Sequence, residues 1–223
     1  SPAHSCRDKK PRHRTNTAGV FHQSPLPALK GEPVNMQNVS RRSEKVDSVV
    51  IRFAGDSGDG MQLTGSQFTL ASVLAGNDVA TFPDYPAEIR APTGTLAGVS
   101  GYQLHFAAGE IFTPGDSVDV LVAMNPAALA KNLPFLKENG LLIVNADSFT
   151  KKLLNMAGFD GNPLDEGSTT LEKYQVFPVD LTRLTRDALV DTDLNSKETD
   201  RCKNFFALGL MCWLYERDLN VLI

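Results

Sequence analysis

The sequence predicts an α/β fold with a mostly parallel sheet, on three observations. Residues 49–79 pass from an apolar, β-branched stretch (Val49, Val50, Ile51, Phe53) through Gly55, Gly58 and Gly60 into a helical pattern free of proline. Residues 119–124 (DVLVAM) and 141–144 (LLIV) are unbroken apolar runs, as expected of parallel strands covered on both faces. Each run ends in a polar residue, Asn125 or Asn145, at the point where a helix can begin.

Residues 1–35 are rich in Pro, Ser, Arg and His and show no apolar periodicity, so disorder is expected there. They lack the apolar core of a secretory signal. Met36 is the first methionine, and MQNVSRRSEKVDSVVIRFAG reads as an ordinary cytosolic start. Residues 1–46 are therefore expected to be a disordered basic leader, with 1–35 an upstream translated extension.

After the glycine turn, residues 61–74 carry helical spacing that stops at Gly76 and Asn77, and residues 79–82 are short and extended. Strand, helix, strand at this length predicts a right-handed unit whose two strands pair in parallel. Residues 82–106 are the least generic part. Pro83, Pro86 and Pro92 keep the first half out of helix, and residues 96–106 alternate toward Tyr102, Leu104 and Phe106, which predicts a strand. A long loop in a compact domain is usually functional or an interface element. Within it, Glu88 and Arg90 are either a solvated pair or place Arg90 toward residues 55–60 or a partner subunit. His105, without a second ligand type at suitable spacing, reads as structural.

Pro126 opens a helix expected to run through Leu136 and to end in residues 137–140. Asn145 and Asp147 follow the next strand, where open α/β sheets hold ligands, although Asp147 fits a helix cap equally well. Residues 157–174 predict a surface excursion, 175–179 an edge strand containing Pro178, and 181–190 a helix. Residues 198–217, with FFALGLMCWLYE, predict one long helix buried against the sheet or against a partner domain. Residues 218–223 read as the start of a truncated continuation.

Composition narrows the function classes. At 223 residues and 42% hydrophobic the chain supports one sizeable α/β domain with extensions. Net charge is −4, but residues 1–35 hold six Lys/Arg against two acids, leaving 16 Lys/Arg against 24 Asp/Glu in the remainder. Such an acidic body is a poor nucleic-acid binder. No apolar run approaches the ~20 residues of a membrane span. Cys6, Cys202 and Cys212 form no C-x-x-C pair, which argues against a disulfide framework, zinc site or iron–sulfur cluster built from this chain and suits a cytoplasmic protein.

The turn has its own chemistry. Glycines there permit positive φ and close backbone approach, and the following helix offers its N-terminal dipole, so an anionic or polar ligand is reasonable. The spacing is G-x-x-G-x-G, not the dinucleotide fingerprint, and Gly60-x-x-x-x-Gly65-Ser66 lacks the P-loop lysine. Asp56 and Asp59 would repel a pyrophosphate unless a cation intervened. Asp59 is open to two readings, helix cap and ligand contact. Asp84 lies roughly where a ribose-binding acid would sit in a nucleotide-dependent dehydrogenase, but the loop that reading requires is missing.

Taken in order, the glycine loop, YPAEIRAP, DVLVAMNPAAL, NGLLIVNAD and KNFFALGL closely resemble the gamma domain of the 2-oxoacid:ferredoxin oxidoreductases, in the version that opens the alpha subunit of 2-oxoglutarate-type enzymes. The resemblance covers about residues 47–218. The commonest gamma-domain loop reads G-x-G-G-Q-G; GDSGDG here resembles the fused 2-oxoglutarate subtype. The resemblance implies a Rossmann-like three-layer α/β/α domain within a multisubunit enzyme that oxidatively decarboxylates a 2-oxoacid with coenzyme A. It implies thiamine diphosphate, magnesium and iron–sulfur clusters in other domains or in the beta subunit, a catalytic alpha-subunit domain downstream, and ferredoxin as electron acceptor. It places coenzyme A contacts in this domain, for which Gly55, Ser57, Gly58, Asp59, Gly60 and Arg90 are the candidates, and it assigns no catalytic or metal-binding residue here. A structural module whose loop docks on a partner domain without ligand is the alternative.

Overall fold

The computed structural model describes residues 19–23, 42–87 and 91–222. Within the leader expected to lack structure, β1 (Gly19–Gln23) and β2 (Arg42–Val46) are strands paired antiparallel, Gly19 opposite Val46 and Gln23 opposite Arg42. Val20, Phe21 and Val46 are residue types that favour strands.

The main sheet comprises β3 (Ser48–Asp56), β4 (Asp78–Asp84), β5 (Val99–Ala107), β6 (Val118–Ala123), β7 (Leu136–Asn145) and β8 (Gln175–Val179), in the order β4-β5-β3-β6-β7-β8. β3, β6, β7 and β8 pair in parallel, and β5 runs antiparallel to both β3 and β4, so one strand of the six is reversed. The predicted mostly parallel α/β sheet is therefore observed.

One local expectation fails. β3 and β4 are not a hydrogen-bonded pair, because β5 lies between them, with Leu104 opposite Ile51 on one side and Thr81 on the other. Chemistry explains the order: β5 is buried along almost its whole length, while β4 exposes Thr81 and Phe82 and contains Pro83, which suits an edge.

Helices cover both faces. On one side α1 (Met61–Leu74) and α6 (Lys203–Leu214) enclose Ile51, Phe53, Phe68, Leu104, Phe106 and Met211, with Tyr215 beside them. Phe106 meets Phe68 at 5.8 Å and Tyr215 at 5.3 Å, both edge to face. On the other side α2 (Pro126–Asn132) and α3 (Lys151–Met156) cover Ala54, Leu121, Ala123, Leu142 and Val144. Alternation along β3 and β7 divides their side chains between these two cores.

Two helix boundaries differ from expectation. α2 ends at Asn132 and passes through a 3-10 turn, Leu133–Phe135, into β7 at Leu136, so residues 137–140 belong to a strand. Pro134 supplies no N–H for another α-helical turn. The long terminal helix is two, α5 (Ser196–Arg201) and α6, divided at Cys202. Their compositions differ: SKETDR is polar and starts with an Asn195–Glu198 capping box, whereas KNFFALGLMCWL turns Ala207, Leu208, Met211 and Cys212 into the core. α4 (Leu181–Ala188) matches expectation. Residues 157–174 contain no helix or strand, and Leu171 anchors them. His105 bonds to Ser48 Oγ at 2.8 Å and to the Thr113 carbonyl at 2.7 Å, the structural role expected of it.

Candidate functional site

β3 delivers its carboxyl end into the glycine turn, and α1 leaves from it. Gly60 is the residue before the helix, with φ 73°, in the left-handed region glycine tolerates. A Cβ at Gly60 would lie 2.4 Å from Asn204 Nδ2, and one at Gly55 2.9 Å from Asp59 Oδ2. Both glycines are thus demanded by the packing of the loop itself. Gly58 differs: among the described residues a Cβ there meets nothing within 4 Å, and Ser57 and Gly58 are exposed.

Asp59 turns back on its own loop. Its Oδ2 accepts from the Asp56 N–H at 2.9 Å, its N–H donates to the Asp56 carbonyl at 2.9 Å, and its Oδ1 pairs with Lys203 at 2.9 Å. It caps the turn, while the first turn of α1 has neither a side-chain cap nor an acidic residue. Among the described residues no side chain caps the N-terminus of α1, and the cation that offsets Asp59 comes from α6. Arg90, proposed for that task, lies outside the described residues, as does Glu88.

Asp56 is buried, and its Oδ2 accepts from the Gly94 N–H at 3.0 Å, tying the long loop to the turn. Its Oδ1 is buried without a well-formed hydrogen bond. Burial pushes this carboxyl above the usual carboxylate range and the neighbouring Asp59 adds to it, while the Gly94 amide, the Asn125 side chain and Lys203 oppose. The folded state thus keeps the proton to higher pH than the unfolded chain does. Asp56 contributes most to stability in acid, and that contribution is lost as pH rises through its raised folded pKa. Asp56→Asn, which mimics the protonated group, is expected to raise folding stability at neutral pH by about 1 kcal/mol and to flatten its fall above the acid range. Denaturant titrations at several pH values check this, and a variant less stable at neutral pH would contradict it.

The other strand ends are committed to structure. Asn125 Oδ1 accepts from the Ala128 N–H at 2.8 Å and caps α2. Asn145 Nδ2 donates to Ser148 Oγ at 2.8 Å and Thr182 Oγ1 at 3.2 Å. Asp147 Oδ2 accepts from the Arg183 N–H at 2.9 Å, so it serves the start of α4 instead of the helix directly after it.

A second polar cluster escaped the sequence reading. Arg52, buried in mid-β3, donates to Asn132 Oδ1 at 2.6 Å, Gln103 Oε1 at 3.2 Å and Asp84 Oδ2 at 2.5 Å. Lys131 stands 3.6 Å from the same Asp84 oxygen. Asp84 is therefore engaged internally, which removes the acid a dehydrogenase reading would use for ribose. A lone arginine in an apolar run was the available signal. Among the described residues no group of three or more His, Cys, Asp or Glu is placed to hold a metal ion, and no helix is long and apolar enough to cross a membrane.

Comparison with known proteins agrees with this architecture. The family described as pyruvate ferredoxin/flavodoxin oxidoreductase matches residues 50–222. The chain is 53% identical over 177 residues to the 2-oxoglutarate oxidoreductase subunit KorA of Mycobacterium tuberculosis, covering 79% of this chain and 27% of that relative. It thus spans about a quarter of the relative's length. Among solved structures, the 2-oxoglutarate:ferredoxin oxidoreductase from Magnetococcus marinus, with 2-oxoglutarate, coenzyme A and succinyl-CoA bound, superposes with TM-score 0.58 at 26% identity, over 79% of this chain and 26% of that one. The gamma subunit of a keto/oxoacid ferredoxin oxidoreductase from Geobacter sulfurreducens shares the fold, with TM-score 0.52 at 21% identity over 78% of this chain and 81% of that one. With nearly all of its described main domain matched, the chain belongs to the pyruvate ferredoxin/flavodoxin oxidoreductase family.

Proposed function

We propose that this chain is the gamma-type domain of the alpha subunit of a 2-oxoglutarate:ferredoxin oxidoreductase, where it helps bind coenzyme A and hold the complex together. The observation that carries the proposal is the 53% identity to KorA along most of the chain. In this reading, thiamine diphosphate with its magnesium and the iron–sulfur clusters belong to other domains or to the beta subunit. Ferredoxin takes electrons from the assembled cytoplasmic enzyme, and the 223 residues alone turn over no 2-oxoacid.

The loop chemistry fits the anionic end of coenzyme A. The N-terminus of α1 is uncapped, Gly58 leaves room above it, and Asp59 is offset by Lys203. Ser57, Gly58 and Gly60 are the residues to touch the ligand, while Gly55 and Asp59 shape the turn beneath. Coenzyme A supplies the thiol that accepts the acyl group; this domain's part is to hold the cofactor's charged portion.

Calorimetric titration of the chain with coenzyme A is expected to give saturable heat. Gly58→Glu, which adds an anion where nothing obstructs a side chain, is expected to weaken binding at least about tenfold. A competing reading also has an observation in its favour: the Ser57 N–H already donates to the Gly98 carbonyl at 3.2 Å, and both loop aspartates are engaged from within. On that reading the loop is an interface element, and the titration gives no heat.

A further inference from the structure

The helices α1 and α6 present a face that water does not suit. α1 is MQLTGSQFTLASVL, without one charged residue, and the only charge in α6, Lys203, is paired with Asp59. A helix facing solvent ordinarily carries charge on its outer side. Leu63, Leu70 and Leu74, with Gln67 between them, instead line the outward side of α1 at alternating spacings of four and three, the rhythm of a helix that meets another helix. The three leucines and Phe205 of α6 are each between 43% and 59% exposed. The opposite layer is different: of the large hydrophobics on α2 and α3, Met156 alone is exposed, at 36%.

Between the two helices lies a groove lined by Leu63, Gln67, Phe205, Gly209, Leu219 and Leu222. A Cβ at Gly209 would meet nothing within 4 Å, so the floor of the groove admits close approach of another backbone. An apolar stripe, a glycine floor and no charge are what a helix-in-groove contact requires.

We infer that the α1–α6 groove is where the remainder of the subunit docks, through an amphipathic helix that lays its apolar stripe over Leu63, Leu70 and Phe205. This rests on the reading of the chain as one part of a longer subunit. The two 2-oxoglutarate enzymes it resembles carry the matching region as 27% and 26% of their chains, so in both this domain is about a quarter of a much longer chain. The uncharged α1–α6 face is the surface chemically ready for it.

The test uses single cysteines at Leu63, Leu70 and Phe205, and at Met156 on the opposite layer, in a background with Cys6 and Cys202 changed to serine. Maleimide labelling is measured in the 223-residue chain and in a KorA chimera that carries residues 47–222 in place of its matching region. Labelling at the first three positions is expected to slow at least tenfold in the chimera, with Met156→Cys unchanged within twofold. Equal labelling of all four in a folded, monodisperse chimera overturns the inference. So does concentration-dependent protection in the chain alone with a dimer mass, which makes a second copy the occupant. Activity of the chimera is read separately. An active chimera with labelled cysteines sinks the docking face alone, and an inactive chimera with protected cysteines counts against the functional reading.

Discussion

Replacing Arg52 by alanine is expected to lower folding stability by about 2–4 kcal/mol, the cost of leaving two buried amide oxygens without a donor, which is a large share of the margin of an ordinary domain. The guanidinium is the centre of a cluster that joins four elements. It reaches Asn132 at the end of α2, Gln103 on β5 and Asp84 at the end of the edge strand β4, and it lies over the Phe135 ring at 5.3 Å. Gln103 in turn donates to the carbonyls of Pro114 and Gly115, at 2.8 and 2.6 Å, so the cluster extends into the loop before β6. Burial pushes the Arg52 guanidinium below its usual pKa, with Asp84 opposing, which marks it as held against its hydration preference by its partners. Without it, the Asn132 and Gln103 oxygens lose donors they cannot recover from water. Lys131, 3.6 Å from Asp84, keeps that carboxylate paired, so the loss falls mainly on the two amides. Arg52→Met combined with Asp84→Asn is expected to recover part of the deficit, because it removes the charge from both sides. Urea unfolding of the four combinations measures the coupling. An Arg52→Ala midpoint within a few tenths of a molar of the native one would show that the cluster is ornamental.

Arg52 also shows where reading the sequence stops. The apolar run 49–53 was legible as a strand because Val49, Ile51 and Phe53 on one face and Val50 on the other follow the period of a sheet buried on both sides. The arginine inside it looked like noise, since its partners come from Asp84, Gln103 and Asn132, residues that no local pattern connects to it. The same limit hid the place of β5 between β3 and β4. Local spacing correctly gave strand, helix and strand, the last expected over residues 79–82, but which strand lies beside which depends on long-range pairing, and a Pro-containing, half-exposed β4 yields the interior position to a better-covered neighbour. The turn was readable as a turn because glycine is the residue for a φ of 73° next to the Asn204 side chain. That Lys203 is the cation offsetting Asp59 was not readable, because the two meet only after the sheet has brought α6 alongside α1.

The second large effect concerns Gly65, one turn inside α1. Alanine at an interior helix position ordinarily improves stability over glycine by roughly 0.5–1 kcal/mol, so Gly65→Ala should help if only the helix mattered. Here a Cβ would sit 2.0 Å from Tyr102 Cδ1 and 2.2 Å from its Cγ, well inside contact distance. Tyr102 has little room to yield: it is buried on β5, and its hydroxyl lies 3.2 Å from Thr69 Oγ1 on the same helix. The expected result is a net loss of about 2–3 kcal/mol from overpacking, read as a lowered melting temperature. An alanine at 102 removes the Cγ and Cδ1 that the new methyl strikes, so Gly65→Ala in a Tyr102→Ala background should cost far less than in the native one. A Gly65→Ala chain at least as stable as the native one would contradict the close packing. The consequence reaches the loop, since pushing α1 off β5 also shifts the helix start at Gly60, where Asn204 leaves no slack. If coenzyme A is held at that helix start, Gly65→Ala should weaken its binding even at a temperature where the chain is fully folded, and the Tyr102→Ala change should restore part of it.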